Sequence, residues 1–251
     1  MDRIAQTFAR CKAEGRPAFV SYVCAGDPDA ATSKAVLLAL AANGADILEV
    51  GVPFSDPLAD GLTNQLAAQR ALEGGMTYDG LLDILAATRA GTDKPIVLYC
   101  YYNLLFSFGV DEYCRKVKAA GADGLLVLDC PPEEAGELIA ASRKHGLANI
   151  FIVAPTTPPA RVALIAKHAS GFIYYVSREG PGVIGEIGGR DLGVGVGIGG
   201  LALQPTIPRS CPKPRPHISL PRPTSYSLEP NNVPPPFLLP TPSPSPLSPW
   251  S

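Results

Sequence analysis

Six short apolar runs, each followed by an amphipathic stretch, leave this chain few ways to fold. The runs AFVSYVC (18–24), DILEVG (46–51), PIVLYCY (95–101), GLLVLD (124–129), NIFIVA (149–154) and FIYYVS (172–177) are continuously apolar rather than alternating. That is the pattern of parallel strands covered on both faces. Helical periodicity fills the gaps, near 30–43, 62–73, 77–90, 110–120, 133–145 and 158–168, with stops at Gly44, Gly74, Gly91, Gly121 and Gly146. A further helix is predicted at the N-terminus, where Ile4, Phe8 and Cys11 share one face. Strict strand–helix order predicts a parallel sheet, either doubly wound or closed into a barrel. Six steps are two fewer than a full (β/α)8 ring requires.

Several function classes drop out. No G-x-G-x-x-G follows the first strand and no G-x-x-x-x-G-K-[ST] occurs, which argues against dinucleotide and P-loop chemistry. A net charge of −2 without a dense Lys/Arg run gives no footprint for nucleic acid or a membrane surface. No apolar run is long enough for a membrane span. Cys11, Cys24, Cys100, Cys114, Cys130 and Cys211 form no C-x-x-C pair and read as reduced thiols of a cytoplasmic protein. His145, His168 and His217 stand in no metal-ligand spacing, so no metal is expected.

The pattern changes after residue 180. Residues 182–203 are glycine-dense without helical period, and 16 of the 27 prolines fall between Pro205 and Pro249. Proline fixes φ and removes a donor, so this composition predicts an unstructured tail. The expected organisation is a partial barrel domain over 1–180 and a tail over 181–251.

Polar groups recur at the carboxyl ends of the strands: Asp27, Glu49, Tyr101 with Asn103, Asp129, and Ser177 with Arg178. That end is the address of active sites in (β/α) barrels. Residues 46–60 are the most informative, because Glu49 stands in an apolar strand and Asp56 and Asp60 follow in the next loop. A buried carboxylate is costly unless it is paired or keeps its proton. A strand-end glutamate that simply emerges into water is the competing reading.

The block LEVGVPFSDPLADG (48–61) closely resembles the signature of the tryptophan synthase alpha chain family. RPAFVSYVCAGDPD (16–29), YYNLLFSFGVDEY (101–113), GADGLLVLDCPPEEAGEL (121–138), APTTPPAR (154–161) and GFIYYVSREG (171–180) resemble further family blocks in the family's order. The resemblance covers about residues 1–180. It implies a TIM-barrel fold and retro-aldol cleavage of indole-3-glycerol phosphate to indole and glyceraldehyde 3-phosphate. It implies Glu49 as the acid–base group, sharing a strand face with Ile47. It implies Asp60 as acceptor for the indole N–H and Tyr101 as a site tyrosine. Asp129 is expected to support the Asp60 loop and communication between subunits, and Tyr22 and Tyr175 to wall the indole pocket. The partner implied is a β subunit in an α2β2 heterotetramer. No cofactor is implied for this chain; pyridoxal phosphate is expected only in the β partner.

The chain also departs from the family pattern. Leu62 and Asn64 replace a proline and an apolar residue. Pro181-Gly182-Val183 stands where the family has V-T-G, so the loop threonine is absent. The phosphate-binding blocks of the seventh and eighth strands are missing, and GVGVGIGG (193–200) mimics a phosphate loop without a helix after it. Without two strands the sheet is expected to have two open edges. A non-catalytic form lacking the phosphate site is therefore the alternative to the lyase.

Overall fold

The computed structural model describes residues 2–176 and, as backbone, the strand segments 194–197 and 200–203. Compact packing groups Met1–Ile207 as one unit; the second unit, Pro208–Ser251, lies outside the described residues. Six parallel strands form in sequence order: β1 (Phe19–Cys24), β2 (Ile47–Gly51), β3 (Ile96–Cys100), β4 (Gly124–Val127), β5 (Ala148–Val153) and β6 (Ile173–Tyr175). Five lie inside their apolar runs, and β5 begins one residue before its run, at Ala148. Around them pack α1 (Arg3–Ala13), α2 (Ala30–Ala42), α3 (Leu62–Glu73), α4 (Tyr78–Gly91), α5 (Tyr102–Phe108), α6 (Val110–Ala119), α7 (Gly136–His145) and α8 (Pro159–His168). The helix α5 is absent from the sequence expectation. It is only seven residues long, too short for periodicity to reveal, and it turns into α6 at Gly109, whose φ of 81° suits glycine.

The expected open edges are not observed. The backbone of β7 (Val194–Gly197) pairs parallel to β1, and β8 (Gly200–Leu203) runs antiparallel to both β6 and β7. A glycine-rich hairpin thus closes the ring in the order β1-β2-β3-β4-β5-β6-β8-β7. It stands where two further strand–helix units would be, and the described part of 193–200 is strand rather than phosphate loop.

The core has two layers, sorted by strand parity. Val20, Ile47, Val97, Leu126, Ile150, Phe172 and Tyr174 point into the barrel. Leu48, Val50, Ile96, Leu98, Leu125, Phe151 and Ile173 point out against the helices. Helix α1 plugs the amino-terminal rim with Ile4, Phe8 and Cys11, and the Phe8 ring meets Phe172 edge-on at 5.7 Å. Asp2 caps α1 through the Ala5 N–H at 3.1 Å.

Carboxylates at that rim are fully partnered. Asp46, just before β2, takes Arg16 at 2.6 Å, Arg10 at 3.0 Å and the Phe19 N–H at 2.9 Å. Burial would raise the Asp46 carboxyl, but the Arg16 guanidinium and the Phe19 N–H outweigh it and hold the group far below the usual range. Asp123, just before β4, takes Arg89 at 2.7 Å, Arg3 at 3.0 Å and the Ile96 N–H at 3.0 Å.

Candidate active site at the carboxyl ends of the strands

The opposite rim has a different electrostatic plan. Glu49 points inward from β2 with Ile47 and is only 3% exposed, so the reading of a glutamate emerging into water fails. Among the described residues, no cation bonds to its carboxyl group and no hydrogen bond stabilises its charge. Burial, with a smaller contribution from the negative charge of Asp60, pushes Glu49 up to about 8. At neutral pH it is chiefly a protonated acid.

Asp60 sits on the loop between β2 and α3 and is half-buried. The Tyr99 hydroxyl donates to one carboxylate oxygen at 2.7 Å and the Tyr101 hydroxyl donates to the other at 2.7 Å. The Tyr101 oxygen also accepts the Ala59 N–H at 3.1 Å, and Gln65 donates to the Asp60 carbonyl at 2.7 Å. The loop is thereby tied to β3 and to the start of α3. Phe54 stacks on the Tyr101 ring at 4.9 Å.

Aromatic rings complete the surroundings. Tyr22, directly across from Glu49 in the β1–β2 register, meets Tyr99 edge-on at 5.3 Å. Any side chain at position 51 would collide with the Tyr22 phenol, so Gly51 is required for that ring to lie against β2. Burial raises the hydroxyls of Tyr22, Tyr99 and Tyr174 well above the ordinary phenol range, and the negative charges of Glu49 and Asp60 add to it. All three stay protonated as donors.

Of the residues expected from sequence, Glu49, Asp60, Tyr22 and Tyr101 converge at this rim. Tyr175 does not. Inward and outward residues alternate along β6, so Tyr175 packs with Ile173 against the helices while Tyr174 faces the barrel interior near Glu49. Asp129 is exposed and accepts the Tyr102 N–H at 2.6 Å, holding the first turn of α5 just beyond Tyr101 rather than touching Asp60. Asp56 and Asn103 are exposed. Asp27 pairs with Arg70 at 2.8 Å. Ser177 and Arg178 lie outside the described residues.

Tyr99 and Tyr174 escaped the sequence reading, although the parity that places Glu49 with Ile47 also places Tyr99 with Val97. A cavity of about 570 Å3 opens at the amino-terminal rim, lined by Arg3, Lys118 and Asp123 among others, but its central carboxylate is already ion-paired. No cluster of three or more His, Cys, Asp or Glu able to hold a metal occurs among the described residues, and none of their helices is long and apolar enough to cross a membrane.

The family model for "Tryptophan synthase alpha chain" matches residues 8–187. The tryptophan synthase alpha chain of Opitutus terrae is 58% identical over 180 residues, covering 72% of this chain and 68% of its own. The chain belongs to the tryptophan synthase alpha chain family. The fold agrees: tryptophan synthase subunit alpha from Legionella pneumophila superposes with a TM-score of 0.68 at 38% identity, covering 70% of this chain and 68% of that one. A tryptophan synthase complex from Pyrococcus furiosus gives a TM-score of 0.61 at 39% identity over 63% of this chain and 65% of its own. This tryptophan synthase alpha homologue spans about two thirds of the length of the relatives it matches.

Proposed function

We propose that this chain cleaves indole-3-glycerol phosphate by a retro-aldol reaction, as a carbon–carbon lyase of tryptophan biosynthesis. One observation carries the reading: Glu49 is buried, uncompensated by any described cation, and holds its proton near neutrality beside a fixed carboxylate. The reaction needs that. A proton must reach C3 of the indole ring, the bond from C3 to the glycerol carbon breaks, and the hydroxyl on that carbon gives up its proton as the aldehyde forms. A carboxyl group with a pKa near the working pH serves both transfers. Protonation at C3 leaves positive charge on the ring. Asp60, with both oxygens already oriented by phenols, accepts the indole N–H and stabilises that charge. Tyr22, Tyr99 and Tyr174 supply aromatic walls for a planar heterocycle.

In this reading the cleavage uses no cofactor, and pyridoxal phosphate belongs to a β partner that takes up the indole. Leu58 (84% exposed), Leu62 (68%) and Phe106 (68%) stand around the same rim and supply an apolar surface for such a partner. The cytoplasm is the compartment that fits the buried, unpaired cysteines at positions 11, 24, 100, 114 and 130.

The test is indole release from indole-3-glycerol phosphate by the full chain, with and without a β subunit. Glu49→Gln is expected to lower kcat by at least about a hundredfold, the low end of general acid–base contributions. Retained activity removes Glu49 from the proton transfers. A wild-type chain that folds yet releases no indole in either format supports the non-catalytic alternative.

A further inference from the structure

We propose that Tyr99 is a positioning residue that fixes the Asp60 carboxylate as a two-sided acceptor, one phenol to each oxygen, while Tyr101 fixes the loop that carries it. The inference rests on the lyase reading for its consequence, but its geometry stands apart from it. Tyr99 and Tyr101 come from one strand and its immediate continuation, two residues apart. They do different work. The Tyr101 oxygen bridges the Asp60 side chain and the Ala59 N–H, so it holds backbone as well as carboxylate. Among the described hydrogen bonds, the Tyr99 hydroxyl makes a single one, to Asp60.

The Tyr99 ring has little freedom. It lies on the inner face of β3, opposite Gly51 in the β2–β3 register, with the edge of Tyr22 against it. An O–H held this way points at one oxygen and cannot follow the carboxylate if it rotates. Each carboxylate oxygen carries two acceptor lone pairs. Two phenols occupy one on each, leaving one per oxygen for a ligand N–H. Burial and the neighbouring charge keep the Tyr99 phenol protonated across the working pH range, so the donor is permanent. The clamp therefore presents Asp60 to a ligand as an acceptor of fixed orientation and leaves proton transfer to Glu49.

Removing only the Tyr99 hydroxyl tests this, because Tyr99→Phe retains the ring and its packing. Tyr99→Phe is expected to lower kcat for indole formation roughly ten- to a hundredfold, as loss of one hydrogen bond to a charged group does, with KM within about twofold. In an Asp60→Asn background the same change should cost less than about twofold further. Unchanged kcat, or a full additive loss in the double variant, overturns the proposal, since a merely structural tyrosine would behave in one of those two ways.

A second measurement needs no catalysis. In the full chain labelled with 13C at tyrosine Cζ, the resonance missing from Tyr99→Phe identifies Tyr99. Asp60→Asn should displace that resonance; if it stays in place, the clamp does not exist. A wild-type chain without indole release would sink the lyase reading alone, and this spectrum would still decide for or against the clamp.

Discussion

At neutral pH Glu49 keeps its proton because burial, reinforced by the negative charge of Asp60, disfavours its ionised form. The consequence for stability has a definite sign. Below the ordinary carboxylate range the group is protonated in the folded and unfolded chain alike and adds no pH dependence. As pH rises the unfolded chain ionises first and is favoured, so stability falls until the folded group ionises near 8. Glu49→Gln should therefore stabilise the fold by on the order of 4–5 kcal/mol at pH 8.5 and far less at pH 4.5, measured by urea unfolding at both values. Equal effects at both would mean that the side chain is solvated. Asp46 behaves oppositely: its pKa is depressed, so its contribution is complete above the ordinary carboxylate range and disappears on acidification. The same residue class is thus a paired anion at one rim and a protonated acid at the other, and the difference is whether arginine is in reach.

Among the elements, α1 shows how much depends on a segment that touches no candidate site residue. Its apolar face closes the rim opposite Glu49, and Phe8 is 6% exposed between Phe172 and the barrel interior. Phe8→Ala should destabilise the protein by about 3–5 kcal/mol, as a large core truncation does, seen as a lowered thermal midpoint. A loss under about 1 kcal/mol would show that α1 is not part of the folded core. The strands and most helices were legible in the sequence because continuous apolar runs alternate with stretches of helical period, most of them stopped by glycine. Glu49 and Asp60 were legible because acidic groups beside an apolar strand are conspicuous. Tyr175 was misassigned because Tyr174 and Tyr175 are adjacent and chemically alike, and only the phase of the strand says which faces inward; Tyr99 was overlooked although it shares the phase of Tyr101. On β6 that phase puts Phe172 and Tyr174 inside. No run of apolar residues covered on both faces reveals its own phase.

For the molecule as a whole, ring closure is the feature composition concealed. Glycine-dense sequence predicts loop, yet β7 and β8 join β1 to β6. In β8, Ala202 lies between Tyr174 of β6 and Gly195 of β7 in register, so its backbone stands in an interior strand. Proline is excluded from such positions because it cannot donate to the ladder. Ala202→Pro should lower unfolding free energy by at least about 2 kcal/mol and increase binding of a hydrophobic dye as the edges of β1 and β6 become free. An unaltered denaturation curve would show that the hairpin does not close the ring.

Reversing β8 also changes what the Glu49 rim is made of. Seven strands arrive there with their carboxyl ends and the eighth departs from it, so the rim is asymmetric. Between β6 and β1 one strand arrives and one departs, where a full (β/α)8 ring has two arrivals. A molecule seated over Glu49 meets a ring of strands that all run toward it except β8.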